Sequence, residues 1–546
     1  MLLSLFVLML LAPQPAPSPR APAPAPRRPS RVEASPRSEP SEETSGTDAT
    51  AAAPDKAKER EAPREKEEPP IVTRHEARLG GRLLRYTVTT GMMPLKNEAG
   101  ETEASVFYMA YVVERAGGPE KRPLTFSFNG GPGSSSVWLH LGAIGPKRVR
   151  MLEEGGMPAP PFELVDNDAS WLDFTDLVFI DPVGTGYSRP KKPELGKKFW
   201  GVEGDIQSVG EFIRLYLSRQ ERWASPLFLV GESYGTTRAA GLSGHLVDRG
   251  IALNGIMLVS SVLNFQTNRF ARGNDTPYPL FLPTYAATAW YHHKLPADLQ
   301  QQPLRKLLDE VERWAAVEYP AALAKGDRLA GAERTAVVER LARYTGLDKD
   351  YVDQSDLRIE IQHFCKELLR DQRRTVGRLD SRFEGIDPTA AGERPDYDPS
   401  MAAIRPPYTA AFNDYVRRSL GYKSDLTYYI LGGGIGTPWD YGSANGYADV
   451  SESLRSAFAK NAAMRLFVAS GFYDLATPYF ATDYTLTHLG LDQSQKGRIS
   501  TSQYEAGHMM YISTRELARL KQDVGKFIQG SLSAAPPADL AAPPKP

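Results

Sequence analysis

Ser233, in Gly231-Glu232-Ser233-Tyr234-Gly235, lies between a short apolar run ending at Val230 and a helical pattern beginning near Thr237. A serine hydroxyl is a weak nucleophile until a base takes its proton, and that base needs an acid to orient it. A sharp strand-to-helix turn would expose the hydroxyl, and the flanking glycines relieve crowding in the strained backbone there. Of the eight histidines, only His488 and His508 lie in the last part of the chain. His508 follows the expected strand 498–504 in a loop, where a base belongs. His488 falls in a helical pattern and reads as structural. Asp474 is the candidate acid, following the expected strand 466–469 through Ser470-Gly471-Phe472-Tyr473. Asp483 and Asp492 lie further from a strand end and read as surface carboxylates.

A second segment completes the chemistry. Asn129-Gly130-Gly131-Pro132-Gly133-Ser134-Ser135-Ser136 follows an early strand and lacks the G-K-[ST] ending of a phosphate cradle. Such a loop can instead offer a backbone N–H to an oxyanion, paired with the N–H of the residue after the nucleophile. Those donors are Gly131 and Tyr234.

The elements that must position these groups are legible as well. Residues 83–90 and 106–113 alternate in polarity and predict half-buried strands, antiparallel in arrangement. Residues 123–128, 177–180, 226–230, 255–259 and 466–469 are short continuous apolar runs, as in strands covered on both faces. Helical periods at 209–217 and 237–247 lie between them, predicting an α/β fold with helices on both faces of a mostly parallel sheet. Core segments are expected at 71–263 and 426–530. From 264 to 425 the buried strands vanish and helical spacing recurs at 305–316, 331–344 and 359–370. This predicts a helical cap insertion at the strand ends, where sites gather.

Composition narrows the function. With 65 Lys+Arg against 66 Asp+Glu the net charge is −1, so there is no nucleic-acid footprint. The single cysteine, Cys365, excludes a disulfide framework and reads as a buried structural thiol. His140 and His292-His293 lack the spaced partners of a metal site. Trp138, Trp171 and Trp290 read as packing residues, and 432–436 as a flexible turn. Residues 2–11 are apolar apart from Ser4, too short to span a bilayer and fitting an export signal over 1–16. Residues 17–70 form a Pro/Ala-rich linker and 531–546 a similar tail, both expected to be disordered. The expected location is periplasmic or secreted.

NGGPGSSS at 129–136, DPVGTGYS at 181–188, GESYG at 231–235, FYDLATPY at 472–479 and AGHMMY at 506–511 together resemble the serine carboxypeptidase family. That family has the α/β-hydrolase fold and includes carboxypeptidase Y-like and cathepsin A-like enzymes. The resemblance covers roughly residues 80–525. It implies Ser233 as nucleophile, Asp474 as orienting acid, His508 as base, and Gly131 and Tyr234 as oxyanion donors. It also implies that Asn129 and Glu232 bind the free carboxylate of a peptide's C-terminus, with one shared proton. Three positions depart from eukaryotic members: Ser127 replaces a tryptophan, Ser134 a cysteine, and Ala143 a glutamate of the carboxylate-binding set. The function implied is a serine carboxypeptidase acting on peptides through an acyl-enzyme and needing no cofactor. An esterase or acyltransferase on the same triad is the alternative, and a non-catalytic envelope binding protein the rival of another class. The oligomeric state is left open, a homodimer among the options.

Overall fold

In a computed structural model, residues 67–114 and 121–533 are described. The expected export signal, nearly all of the linker and residues 534–546 of the tail lie outside them.

Nine strands make the body of the main sheet: β1 (Ile71–Leu79), β2 (Arg82–Lys96), β3 (Thr102–Val113), β4 (Leu124–Phe128), β5 (Asp176–Ile180), β6 (Leu227–Ser233), β7 (Gly255–Ser261), β8 (Arg465–Gly471) and β9 (Ile499–Tyr504). Their order across the sheet is β1-β2-β3-β5-β4-β6-β7-β8-β9, and Arg189–Pro190 adds a short tenth strand beside β3. The first three pair antiparallel; from β5 to β9 every neighbour is parallel. The inversion of β4 and β5 places the end of β4 directly beside β6. That brings the glycine loop against the serine.

The continuous apolar runs bury on both sides because successive side chains point to opposite faces. Leu229, Ile256, Leu258, Leu466 and Val468 join one core; Phe228, Val230, Met257, Val259 and Phe467 join the other. On the first face lie α1 (Val202–Arg219) and α2 (Tyr234–Val247). Burying each large apolar side chain contributes about 1.5–3 kcal/mol, which makes these central strands the fixed frame of the molecule.

Between β7 and β8 the chain is mostly helical. Here α3 (Pro277–Tyr291), α4 (Leu304–Leu323) and α5 (Gly331–Thr345) bury Phe281, Tyr285, Leu307, Val311, Trp314 and Leu341 in a core of their own. The expected helix at 359–370 is shorter, Ile361–Glu367, and buries Cys365. By contrast, α6 (Pro399–Arg418) packs Ile404, Tyr408, Phe412 and Tyr415 into the second sheet core. The same core receives Leu517, Leu520, Val524 and Ile528 of α9 (Thr514–Ser533). Before it run α7 (Ser451–Lys460), on the first sheet face, and α8 (Tyr479–Thr487). Helix α9 continues to Ser533, three residues into the expected tail.

Candidate active site

At the end of β6 the chain turns directly into α2, and Ser233 occupies the turn with φ 60° and ψ −131°. A non-glycine residue held there stores about 1–3 kcal/mol of strain. The turn closes so tightly that a Cβ on Gly231 would lie 2.1 Å from the Gly235 carbonyl oxygen. Ser233 is half-buried, whereas Glu232 and Tyr234 on either side are buried.

Asp474 and His508, expected as acid and base, are joined. His508 Nδ1–H donates to Asp474 Oδ2 at 2.8 Å, in a site where the two residues are 4% and 0% exposed. Asp474 also accepts from the Thr477 hydroxyl at 2.7 Å and from the N–H groups of Ala476 and Thr477 at 2.8 and 3.0 Å. These bonds fix the carboxylate and leave His508 Nε2 as the nitrogen available to a substrate-side proton. Burial pushes the His508 pKa down, but the Asp474 charge and hydrogen bond outweigh it and hold the imidazole above its ordinary value. The Ser233 hydroxyl and His508 make no mutual hydrogen bond; such nucleophile–base contacts often tighten only as substrate binds.

Groups from the insertion and from the end of β7 hold the His508 backbone. His508 N–H donates to Leu379 O at 2.6 Å, Gly507 N–H to Asp380 Oδ2 at 3.0 Å, and Ser260 Oγ to His508 O at 2.6 Å. Leu475, next to the acid, is buried in the core of α3–α5. The Leu379–Asp380 clamp carries no sequence signal, because its partners are distant in the chain; Thr477 lies within the 472–479 motif and holds Asp474 through both its N–H and its hydroxyl.

The glycine loop closes over the turn. A Cβ on Gly130 would stand 2.4 Å from Tyr234 N and 2.6 Å from Gly235 N, so only glycine fits. Arg238, buried in α2, donates to Asn129 O at 2.6 Å and to Asp205 Oδ2 at 2.8 Å. Asp181 accepts from Ser136 N–H at 2.8 Å and Ser136 Oγ at 2.9 Å, which explains the 181–188 motif as a brace for the loop. Burial pushes the Asp181 pKa up to about 6, against the pull of those Ser136 bonds. We expect Gly130→Ala to lower kcat about 10²-fold while the protein stays folded, because backbone on both sides of the contact must shift the two oxyanion N–H groups. Steady-state kinetics beside a thermal melt checks this; an unchanged kcat would show those groups idle.

Asn129 and Glu232 are both buried, and the Asn129 side chain faces the Glu232 carboxyl. Asn129 Oδ1 accepts from Leu139 N–H at 3.1 Å, and its Nδ2 has no hydrogen-bond partner. Tyr511 donates to Glu232 Oε2 at 2.5 Å. Burial drives the Glu232 pKa up to about 7, opposed by the charge of His508 and by the Tyr511 bond. Ala143 is fully buried beside Gly142, where a Cβ would meet Tyr408 Oη at 2.5 Å and Tyr511 Cε2 at 2.6 Å. Aromatic rings thus fill the space beside that position.

Two expectations are corrected. Asp483 is not a surface carboxylate: it is half-buried near Glu312 of α4, and burial raises its pKa to about 6. The 432–436 segment is more than a turn. Gly432 N–H donates to Gly133 O at 2.9 Å, and Ile435 would lie 3.1 Å from a Cβ on Gly133, so it braces the glycine loop. His488 is exposed and stacked on Tyr484, whereas His140 is a core histidine, bonded to Tyr111 Oη at 2.7 Å and driven by burial to about pKa 3. Asp492 is exposed and caps the short helix Gln493–Lys496.

The chain is 29% identical to "Serine carboxypeptidase-like 13" of Arabidopsis thaliana over 173 residues, 30% of this chain and 38% of that protein. It is 33% identical to "Pheromone-processing carboxypeptidase KEX1" of Saccharomyces cerevisiae over 158 residues, 26% of this chain and 20% of that protein. The matched regions therefore span well under half the length of these relatives. The crystal structure of Kex1(delta)p, a prohormone-processing carboxypeptidase from Saccharomyces cerevisiae, superposes with a TM-score of 0.51 at 16% identity, covering 81% of this chain and 91% of that one. That likeness shows the α/β-hydrolase fold. A family model described as "Serine carboxypeptidase" matches residues 85–522 in one stretch. Because that match takes in most of the chain, from β2 to α9, the chain belongs to the serine carboxypeptidase family.

Proposed function

We propose that the protein is a serine carboxypeptidase that removes C-terminal residues from peptides through an acyl-enzyme. The observation that carries this reading is the Asp474–His508 pair at 2.8 Å in a protein whose strained turn presents Ser233. Family membership and the buried Glu232 beside Asn129 support it. Ser233 Oγ attacks the scissile carbonyl as its proton passes to His508 Nε2, and Asp474 stabilises the imidazolium. The oxyanion takes the N–H groups of Gly131 and Tyr234. His508 then gives its proton to the leaving amine as the C–N bond breaks. Water, deprotonated by His508, attacks the acyl carbon, and Ser233 recovers its proton as the ester opens.

In this reading Glu232 and Asn129 receive the terminal carboxylate. A carboxyl group faces a carboxylate favourably only when one proton is shared between them. Glu232, with its pKa pushed up to about 7, supplies that proton below neutrality and loses it above. The helices 277–376 act as a cap whose core holds the acid loop through Leu475. Export on the 1–16 signal, with 17–70 as a tether, completes the proposal; no helix among the described residues is long and apolar enough to cross a membrane.

The test compares blocked dipeptides with free and amidated C-termini across pH. We expect a preference of about 10-fold or more for the free acid at pH 5–6, falling as pH rises through 7. Glu232→Gln should flatten that fall. Equal rates on both substrates at every pH would rule out carboxylate recognition and favour an esterase or acyltransferase on the same triad.

A further inference from the structure

The Glu232 carboxyl is where four separate elements meet. It stands at the end of β6, Asn129 comes from the loop after β4, Tyr408 from α6, and Tyr511 from the loop that also carries His508. Only Tyr511 makes a full hydrogen bond to it, from Oη to Oε2 at 2.5 Å. The Tyr511 ring is 1% exposed and its edge lies against Gly142. The Tyr408 ring, packed at 5.0 Å on Trp138, flanks the same glycine. The Asn129 side-chain amide faces both the Glu232 carboxyl and the Tyr511 hydroxyl. The site therefore holds one carboxyl oxygen of Glu232 firmly, with the Asn129 amide beside it.

We propose that Tyr511 is a positioning residue for C-terminal specificity, anchoring one oxygen of Glu232 so that the other can share a proton with a substrate carboxylate. This rests on the carboxypeptidase reading above and adds the residue that orients its recognition group. A short O–H to carboxylate bond is charge-assisted and directional, so it fixes the plane of the carboxyl as well as its charge. It also favours the ionised form, opposing the burial that drives Glu232 up to about 7. The other groups facing Glu232 are His508, which favours its charge, and Asp474 across the site, which opposes it; the neutral phenol of Tyr408 completes the surround. Because Tyr511 is three residues from His508, the same loop sets the base and the recognition carboxyl in register.

Tyr511→Phe removes the hydroxyl and keeps the ring that packs on Gly142. For a blocked dipeptide with a free C-terminus, KM should rise about 10-fold at pH 5.5 with kcat little changed. The pH at which that preference is lost should move up by about one unit, since the ionised carboxylate has lost a donor. The amidated dipeptide should keep its KM and its pH profile, which report the His508 limb alone. In a Glu232→Gln background the same change should add nothing, as expected of two residues acting through one bond. Labelling of Ser233 by a fluorophosphonate at the unmutated rate confirms that the fold and nucleophile are intact.

An unmoved pH midpoint, equal KM changes for free and amidated substrates, or an undiminished effect in the Glu232→Gln background would each overturn the assignment of Tyr511. These outcomes differ from failure of the parent reading, in which the unmutated enzyme itself does not distinguish the two C-termini.

Discussion

Replacing His508 with alanine should abolish labelling of Ser233 by a fluorophosphonate and lower kcat on a blocked dipeptide by about 10⁴-fold or more. The expectation follows from the hydroxyl's chemistry. Without an acceptor for its proton, Ser233 must attack as a neutral alcohol, and the leaving amine must depart without a proton. No other base replaces the imidazole in the site: Glu232 is held by Tyr511, and Asp474 is enclosed by Thr477, Ala476 and His508. KM should change little, because His508 contributes a proton relay rather than a binding contact. Labelling that persists at the unmutated rate would mean that Ser233 is activated by something else, and the relay described here would be wrong. Because the probe reports on the nucleophile alone, this test is independent of which acyl substrate the protein uses.

How much of this arrangement is legible in the sequence depends on the range over which each signal acts. The turn at Ser233 is local: the apolar run 226–230, the two glycines and the helical period 237–247 follow one another without a break, and all three appear in the structure. The central strands are equally plain, because burial on both faces demands continuous apolar residues. Asp474 stands out because it follows such a strand, and His508 because it sits in the loop after the more polar edge strand β9. Thr477 and Tyr511 fall inside the 472–479 and 506–511 motifs, but their bonds to Asp474 and Glu232 impose no period on the residues around them, so their parts in the site emerge only in the structure. The Leu379 and Asp380 contacts behind His508 use backbone and one carboxylate more than 120 residues away in the chain.

Long-range packing sets the two places where the structure departs from the expectation. Residues 432–436 are rich in glycine, and glycine signals a turn whether the space around it is empty or crowded. Here the backbone of Gly434 approaches Gly184, with a Cβ on it falling 2.0 Å from the Gly184 carbonyl oxygen, so the segment is packed against the site. Asp483 reads as a surface carboxylate because it lies away from the strand end. Its neighbour Glu312 comes from α4, in the insertion, and only the tertiary fold brings the two acids near each other. Helix α6 carries helical spacing like the rest of the 264–425 region. Which surface it covers is decided by where the chain returns to the sheet, a long-range property that periodicity does not contain.

Asp474→Asn gives the sharpest test of how the acid works, because it changes hydrogen-bond polarity with almost no change in shape. Asp474 accepts four hydrogen bonds, two at each oxygen. An asparagine can keep the two backbone bonds from Ala476 and Thr477 through its Oδ1. Its Nδ2 then faces His508 Nδ1 and the Thr477 hydroxyl, and it must donate where the carboxylate accepted. His508 is driven to the tautomer that carries its proton on Nε2, which cannot take a proton from Ser233. We expect kcat to fall on the order of 10⁴-fold while the melting temperature changes little, since the amide still satisfies the loop. The pH profile gives a second readout. Asp474 holds the His508 pKa above its ordinary value, so its charge raises the pH below which activity is lost. Removing that charge leaves burial unopposed by the acid, and the residual activity should survive to lower pH than in the unmutated enzyme. Flipping the amide to bond His508 through Oδ1 would instead set Nδ2 against the two backbone N–H groups, so neither orientation restores the site. Full activity in Asp474→Asn would show that the carboxylate does no more than shape the loop.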